Sequence, residues 1–97
     1  MTSSKTDLAI AYDCRGRGYA RMNDFDMAIV DYSQAIDLND KEAIYYYDRA
    51  MAYDRKKDYK NAVSAGERFL QLNKTMKDSD VRELVKAWKR RIPEEEK

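Results

Sequence analysis

Two stretches decide how the chain is read: residues 9–39, AIAYDCRGRGYARMNDFDMAIVDYSQAIDLN, and residues 43–73, AIYYYDRAMAYDRKKDYKNAVSAGERFLQLN. Laid over one another at an offset of 34, they agree without a gap at ten positions. These are Ala9/Ala43, Ile10/Ile44, Tyr12/Tyr46, Arg15/Arg49, Tyr19/Tyr53, Arg21/Arg55, Asp24/Asp58, Ala28/Ala62, Leu38/Leu72 and Asn39/Asn73. Unrelated sequences would share about two, and a fixed period of this size marks a stacked repeat. Similar pairs extend the match: Gly16/Ala50, Phe25/Tyr59, Ile29/Val63 and Ile36/Leu70. Two units therefore span 9–42 and 43–76, with 77–97 left over.

Each unit divides into two helices. Tyr12, Gly16 and Tyr19 fall at helical spacing before a break, and Phe25, Ala28, Ile29, Tyr32, Ala35, Ile36 and Leu38 form a second stripe after it. Asp24 and Asp58 stand at the break, where a carboxylate can accept the unpaired N–H groups of a helix start. Asn39 with Glu42, and Asp80 with Glu83, have capping-box spacing. The pattern predicts helices near 7–22, 25–38, 41–56, 59–72 and 79–92, an all-α chain of five helices.

Composition agrees and narrows the function. Three Gly and one Pro among 97 residues leave little material for β-turns. With 19 basic and 18 acidic residues the net charge is +1, so neither nucleic acid nor an anionic membrane is the expected partner. The chain has no His, which removes the commonest general base and metal ligand. Cys14 is the single cysteine, excluding an internal disulfide or a cysteine-clustered zinc site. Met1 to Asp7 carries no apolar signal core, and no apolar run nears the roughly 18 residues of a membrane span. The chain reads as cytoplasmic. No catalytic constellation emerges, and no cofactor or metal site is expected. Asp24/Asp26 and Asp78/Asp80 are explained by helix capping, Cys14 has no His to activate it, and Gly16-x-Gly18 lies within a helix pattern.

These residues resemble the tetratricopeptide repeat (TPR), a 34-residue helix–turn–helix unit with the pattern W-x2-L-G-x2-Y, then A-x3-F, then P. Tyr12, Gly16, Tyr19, Ala28 and Tyr32 fill its slots in the first unit, and Tyr46, Ala50, Tyr53 and Ala62 in the second. The resemblance covers about 68 of the 97 residues. It implies a right-handed solenoid in which Gly16, Ala28, Ala50 and Ala62 admit close helix contacts and Tyr19 and Tyr53 fill the space beside them. Three departures stand out. Arg15 and Arg49 occupy the Leu slot, where stems should pack while the guanidinium is solvated or paired. Asp40 and Lys74 stand where Pro is usual. Gly66 and Phe69 exchange small and large relative to Tyr32 and Ala35, and Trp88 is expected to pack against Gly66.

Residues 79–92 look like the capping helix of a TPR array, which covers the last apolar face. Val81, Leu84, Val85, Trp88 and Ile92 make its stripe, and Arg82, Lys86, Lys89 and Arg90, with Arg91 nearby, its polar side. Residues 1–92 thus read as one TPR domain and 93–97 as a short acidic tail. Lys89-Arg90-Arg91 is too short a run to argue RNA binding, and its charges suit a helix C-terminus.

What the resemblance implies is a concave groove lined by the first helix of each unit, where a peptide or helix of a partner protein docks without catalysis. The candidate groove residues are Ile10, Asp13, Cys14, Arg17 and Arg21, then Ile44, Tyr47, Asp48, Met51 and Arg55. Arg17, Arg21 and Arg55 are placed to pair with an acidic side chain. TPR domains that clamp the acidic C-terminal tails of cytosolic chaperones carry Lys and Asn at the positions of Ile10 and Cys14, and Asn at that of Asp48. Only Arg82 is of the expected type, which argues against that role. The alternatives are a regulatory or targeting subunit of a larger complex, a homodimer and, behind these, RNA binding through the basic cap helix. Two repeats fall short of the usual three, so the open face of the first helix near Leu8, Ala11 and Tyr12 is expected to dock on a second copy or a neighbouring domain.

Overall fold

Five helices follow one another in the computed structural model, which describes residues 4–75 and 77–96. They are α1 (Ser4–Arg21), α2 (Phe25–Leu38), α3 (Ala43–Arg55), α4 (Tyr59–Leu72) and α5 (Ser79–Arg91), with a short 3-10 turn at Glu94–Glu96. Among the described residues there is no strand, as the all-α expectation requires. Residues 76 and 97, the ends of the second unit and of the tail, lie outside the described residues. α1 packs on α2 and α3 on α4, while α2 meets α3, α4 meets α5, and α1 touches α3 lightly. Each helix thus covers the stripe of the next, and the stack measures 50 × 29 × 21 Å.

The turn inside each hairpin is the same device used twice. The Asp24 amide donates to the Tyr19 carbonyl and the Asn23 amide to Ala20; 34 residues on, Asp58 donates to Tyr53 and Lys57 to Asp54. This is the six-to-one and five-to-two pairing of a Schellman close, and it puts Asn23 (φ 63°) and Lys57 (φ 64°) in the left-handed region. Asp24 and Asp58 then cap the second helices, accepting from the Met27 and Asn61 amides.

Two expected capping boxes do not form. Glu42 is itself the N-cap of α3 and its side chain caps nothing, while the Asn39 Oδ1 accepts from the Lys41 amide at 3.3 Å. That Asn-built turn, tied down by the Tyr46 hydroxyl donating to the Asp40 carbonyl at 3.0 Å, supplies the bend where proline is usual. α5 starts at Ser79 rather than beyond Asp80, so Asp80 falls in its first turn and Asp78 instead holds Arg82 at 3.1 Å.

The core runs through Ala9, Ala35, Tyr45, Tyr46, Ala50, Ala62 and Phe69 to Val81, Val85 and Trp88, with Ala28, Tyr32 and Ala52 forming a second cluster. Small residues set the spacing. A Cβ on Gly16 would lie 2.7 Å from the Tyr32 ring, and one on Gly66 would lie 2.8 Å from Val85 and 3.1 Å from Trp88. Trp88 therefore packs on Gly66 as expected, and its indole N–H also donates to Asp54 at 2.9 Å, fastening α5 to the first hairpin element of repeat two. Phe69 fills the space opposite, its ring 5.7 Å from that of Tyr47.

Candidate functional site

The first helices of the two units, α1 and α3, present the groove positions, and the 3.6-residue period spaces them one turn apart. Ile10 and Cys14 are exposed on α1, Ile44 is half-buried on α3, and none of the three lines the main groove cavity. Arg21, Tyr47, Asp48, Met51 and Arg55 do come together there, around a cavity of about 280 Å³. Its remaining wall is Ala20, Phe25, Tyr32 and Ala52. Phe25 and Tyr32 belong to α2 and were assigned to the packing stripe; a residue on a helix flank can serve core and groove together, which periodicity alone does not separate.

The cavity has an apolar floor, and its charged lining is Arg21 and Arg55 together with Asp48. Met51, Tyr47 and Phe25 supply the floor, and the Arg55 guanidinium lies over the Phe25 ring at 4.9 Å. Arg21 is exposed at the other side and makes no ion pair among the described residues.

Two candidates differ from expectation. Asp13, expected to face outward, is only 5% exposed. It lies where α1 meets α3, with the Arg17 Nε 3.1 Å from Asp13 and 3.1 Å from Asp48. Arg17 is therefore engaged by the protein's own acids, while Arg55 lies over the Phe25 ring. Burial first, and then a hydrogen bond with Asp48 and its charge, lift the Asp13 carboxyl from 3.8 to about 8. Burial likewise pushes the nearby Tyr32 hydroxyl up to about 12. Between the helices, therefore, the buried Asp13 carboxyl lies beside Asp48 and under Arg17.

A second buried acid was not foreseen. Asp31 on α2 is 0% exposed and receives two hydrogen bonds of 2.9 Å from Arg15, one from Nε and one from Nη2. This pairing answers what Arg15 does in the Leu slot: its guanidinium also lies beside the Tyr12 and Tyr19 rings. The signal was available, since Arg15 and Asp31 stand on facing stripes of one hairpin. In the cap, Lys89 pairs with Glu67 at 2.9 Å and Arg91 donates to the Tyr59 hydroxyl at 3.1 Å, so two of the three basic residues there are held against α4.

The same architecture exists in known proteins. The family model of the tetratricopeptide repeat matches residues 15–42 and 43–76. Serine/threonine-protein phosphatase 5 from Homo sapiens and from Rattus norvegicus is 43% identical over 56 residues, 58% of this chain. The chain spans about a tenth of the length of those relatives, 11%. Among solved structures, the N-terminal domain of stress-induced protein-1 from C. elegans superposes with a TM-score of 0.69 at 25% identity, over 93% of this chain and 69% of that one. No helix among the described residues is long and apolar enough to cross a membrane. With two matched repeats, hairpins closed by identical turns and a shared fold, the chain belongs to the tetratricopeptide repeat family, whose fold is a protein–protein interaction module rather than a catalytic one.

Proposed function

We propose that residues 1–92 act as a single non-enzymatic adaptor domain, holding a peptide or helix of a partner protein in the groove between α1 and α3. The observation that carries the reading is the cavity with the Met51, Tyr47 and Phe25 floor and the Arg21 and Arg55 rim. An apolar floor excludes water from an anchoring side chain, and the two guanidinium groups favour a carboxylate beside it. The partner segment is therefore an apolar residue flanked by acids. Selecting displayed peptides against the full chain tests this. Peptides of that composition should emerge, and Met51→Glu should weaken them about tenfold or more. Selected peptides whose amide-shift footprint lies away from α1 and α3 would refute it.

A second reading rests on a different observation. Leu8 is 48% exposed on the outer end of α1, beside exposed Ala11 and half-buried Tyr12. Together they make an apolar stripe at that end of the helix, which favours self-association through it. Sedimentation equilibrium should show dimer, and Leu8→Glu should return monomer; a monomer at all concentrations removes this reading.

A further inference from the structure

The two repeats treat the arginine in their Leu slot differently. In repeat one the Asp31 carboxylate satisfies Arg15 through Nε and Nη2. The residue 34 positions after Asp31 is Ala65, so in repeat two the matching carboxylate is gone. Arg49 keeps only a Ser33 hydroxyl on Nη1, at 3.1 Å, and its Nε is buried with no hydrogen-bond partner. A buried, unpaired N–H of a cation is costly to leave so.

Arg49 lines a cavity of about 510 Å³ between α3 and α4, nearly opposite Tyr47 and Met51 on the helical wheel. Lys60, Arg68, Ser64 and Tyr46 also line it, and the Arg49 and Arg68 guanidinium groups both lie 5.8 Å from the Tyr46 ring centre. Glu67 is the one acid on its wall, and Lys89 draws that carboxylate away at 2.9 Å. In repeat one the positions of Lys60, Arg68 and Gln71 are Asp26, Gln34 and Asp37. The eight lining residues carry a formal charge of +2, against −1 for their repeat-one counterparts. Repeat two lacks the internal acid, and its wall between α3 and α4 carries cations instead.

We infer that the α3–α4 cavity is a binding site for an external oxyanion, a phosphoryl or carboxylate group that pairs with Arg49, Arg68 and Lys60, the cations on its wall. Bidentate guanidinium geometry suits either group. The site lies on the face away from the partner groove and stands whether or not that groove binds peptide.

The test follows the Arg Nε–H resonances of the full chain by NMR while inorganic phosphate, or separately acetate, replaces chloride at constant ionic strength. Arg49 should shift and saturate, and Arg15, whose Nε already donates to Asp31, should not. Tighter saturation by phosphate assigns the site to phosphoryl groups, and equal or tighter saturation by acetate assigns it to carboxylates. Ala65→Asp rebuilds the repeat-one pair and should abolish the response. Arg68→Gln, at an exposed position, should weaken it about tenfold while leaving the fold alone. Parallel unsaturated shifts of Arg15 and Arg49, or a response unchanged in Arg68→Gln, would overturn the assignment.

Discussion

Glycine is used for opposite reasons at two positions of α1. Gly16 is where the Tyr32 ring and the Ala28 carbonyl approach the backbone, whereas a Cβ on Gly18 would meet nothing within 4 Å. Both sit inside a helix, where glycine costs about 1 kcal/mol relative to alanine. Gly18→Ala should therefore stabilise the protein by about 0.5–1 kcal/mol. Gly16→Ala should destabilise it by about 1–3 kcal/mol, because the methyl overpacks a ring with nowhere to go. Urea unfolding of the two variants beside the parent checks both signs. The repeat does not separate these glycines, since Gly16 aligns with Ala50 and Gly18 with Ala52; only the family pattern marks Gly16 as the small-residue slot. Which neighbour occupies the space is a tertiary fact. Lys57 makes the same point: nothing about lysine announces a left-handed residue, and only its alignment with Asn23 hints at it.

Between helices, the hairpins differ in how they settle the arginine of the Leu slot. Arg15→Leu would strand the fully buried Asp31, whereas Arg49→Leu removes a cation that has no carboxylate. The urea midpoint should fall much further for Arg15→Leu, and Asp31→Ala added to it should recover most of the loss. A larger effect of Arg49→Leu would contradict the pairing. At this scale the reading from residues alone was good where one-dimensional rules suffice. Helix positions, the Asp24 and Asp58 caps and the Trp88 contact with Gly66 all follow from period and residue size. The capping boxes failed because Asn39 had a nearer use for its side chain, in the turn that replaces proline. Asp31 was missed because a charged residue on an apolar stripe looks like a boundary until its partner on the facing helix is seen.

Across the whole molecule, the carboxyl pair of Asp13 and Asp48 joins the two units, with Arg17 over it and Glu42, Tyr32 and Tyr45 around it. An unfolded chain releases the Asp13 proton near 3.8, and the folded one keeps it until about 8. Between those values the native state binds more protons, so raising the pH favours unfolding. The stability this group contributes is complete below 3.8 and is lost as the pH climbs to about 8. Asp13→Asn should remove that slope, so its advantage over the parent grows from pH 5 to pH 8. Denaturant melts across that range measure it, and parallel curves for the two proteins would count against the raised Asp13 carboxyl. The groove itself was half legible. Of the positions the repeat offers, Arg21, Tyr47, Asp48, Met51 and Arg55 line the cavity, but the burial of Asp13 and the α2 wall depend on how closely the hairpins lean together, which no periodicity encodes.

Trp88 is the chain's single tryptophan, it is 3% exposed, and it sits wholly at the seam between the last helix and the hairpin beneath. Stacks of this kind loosen from their ends inward. The indole is consequently a built-in optical gauge of one seam: its emission should redden when α5 lifts off, ahead of any fall in helical ellipticity, and so time the first step of disassembly without an added label.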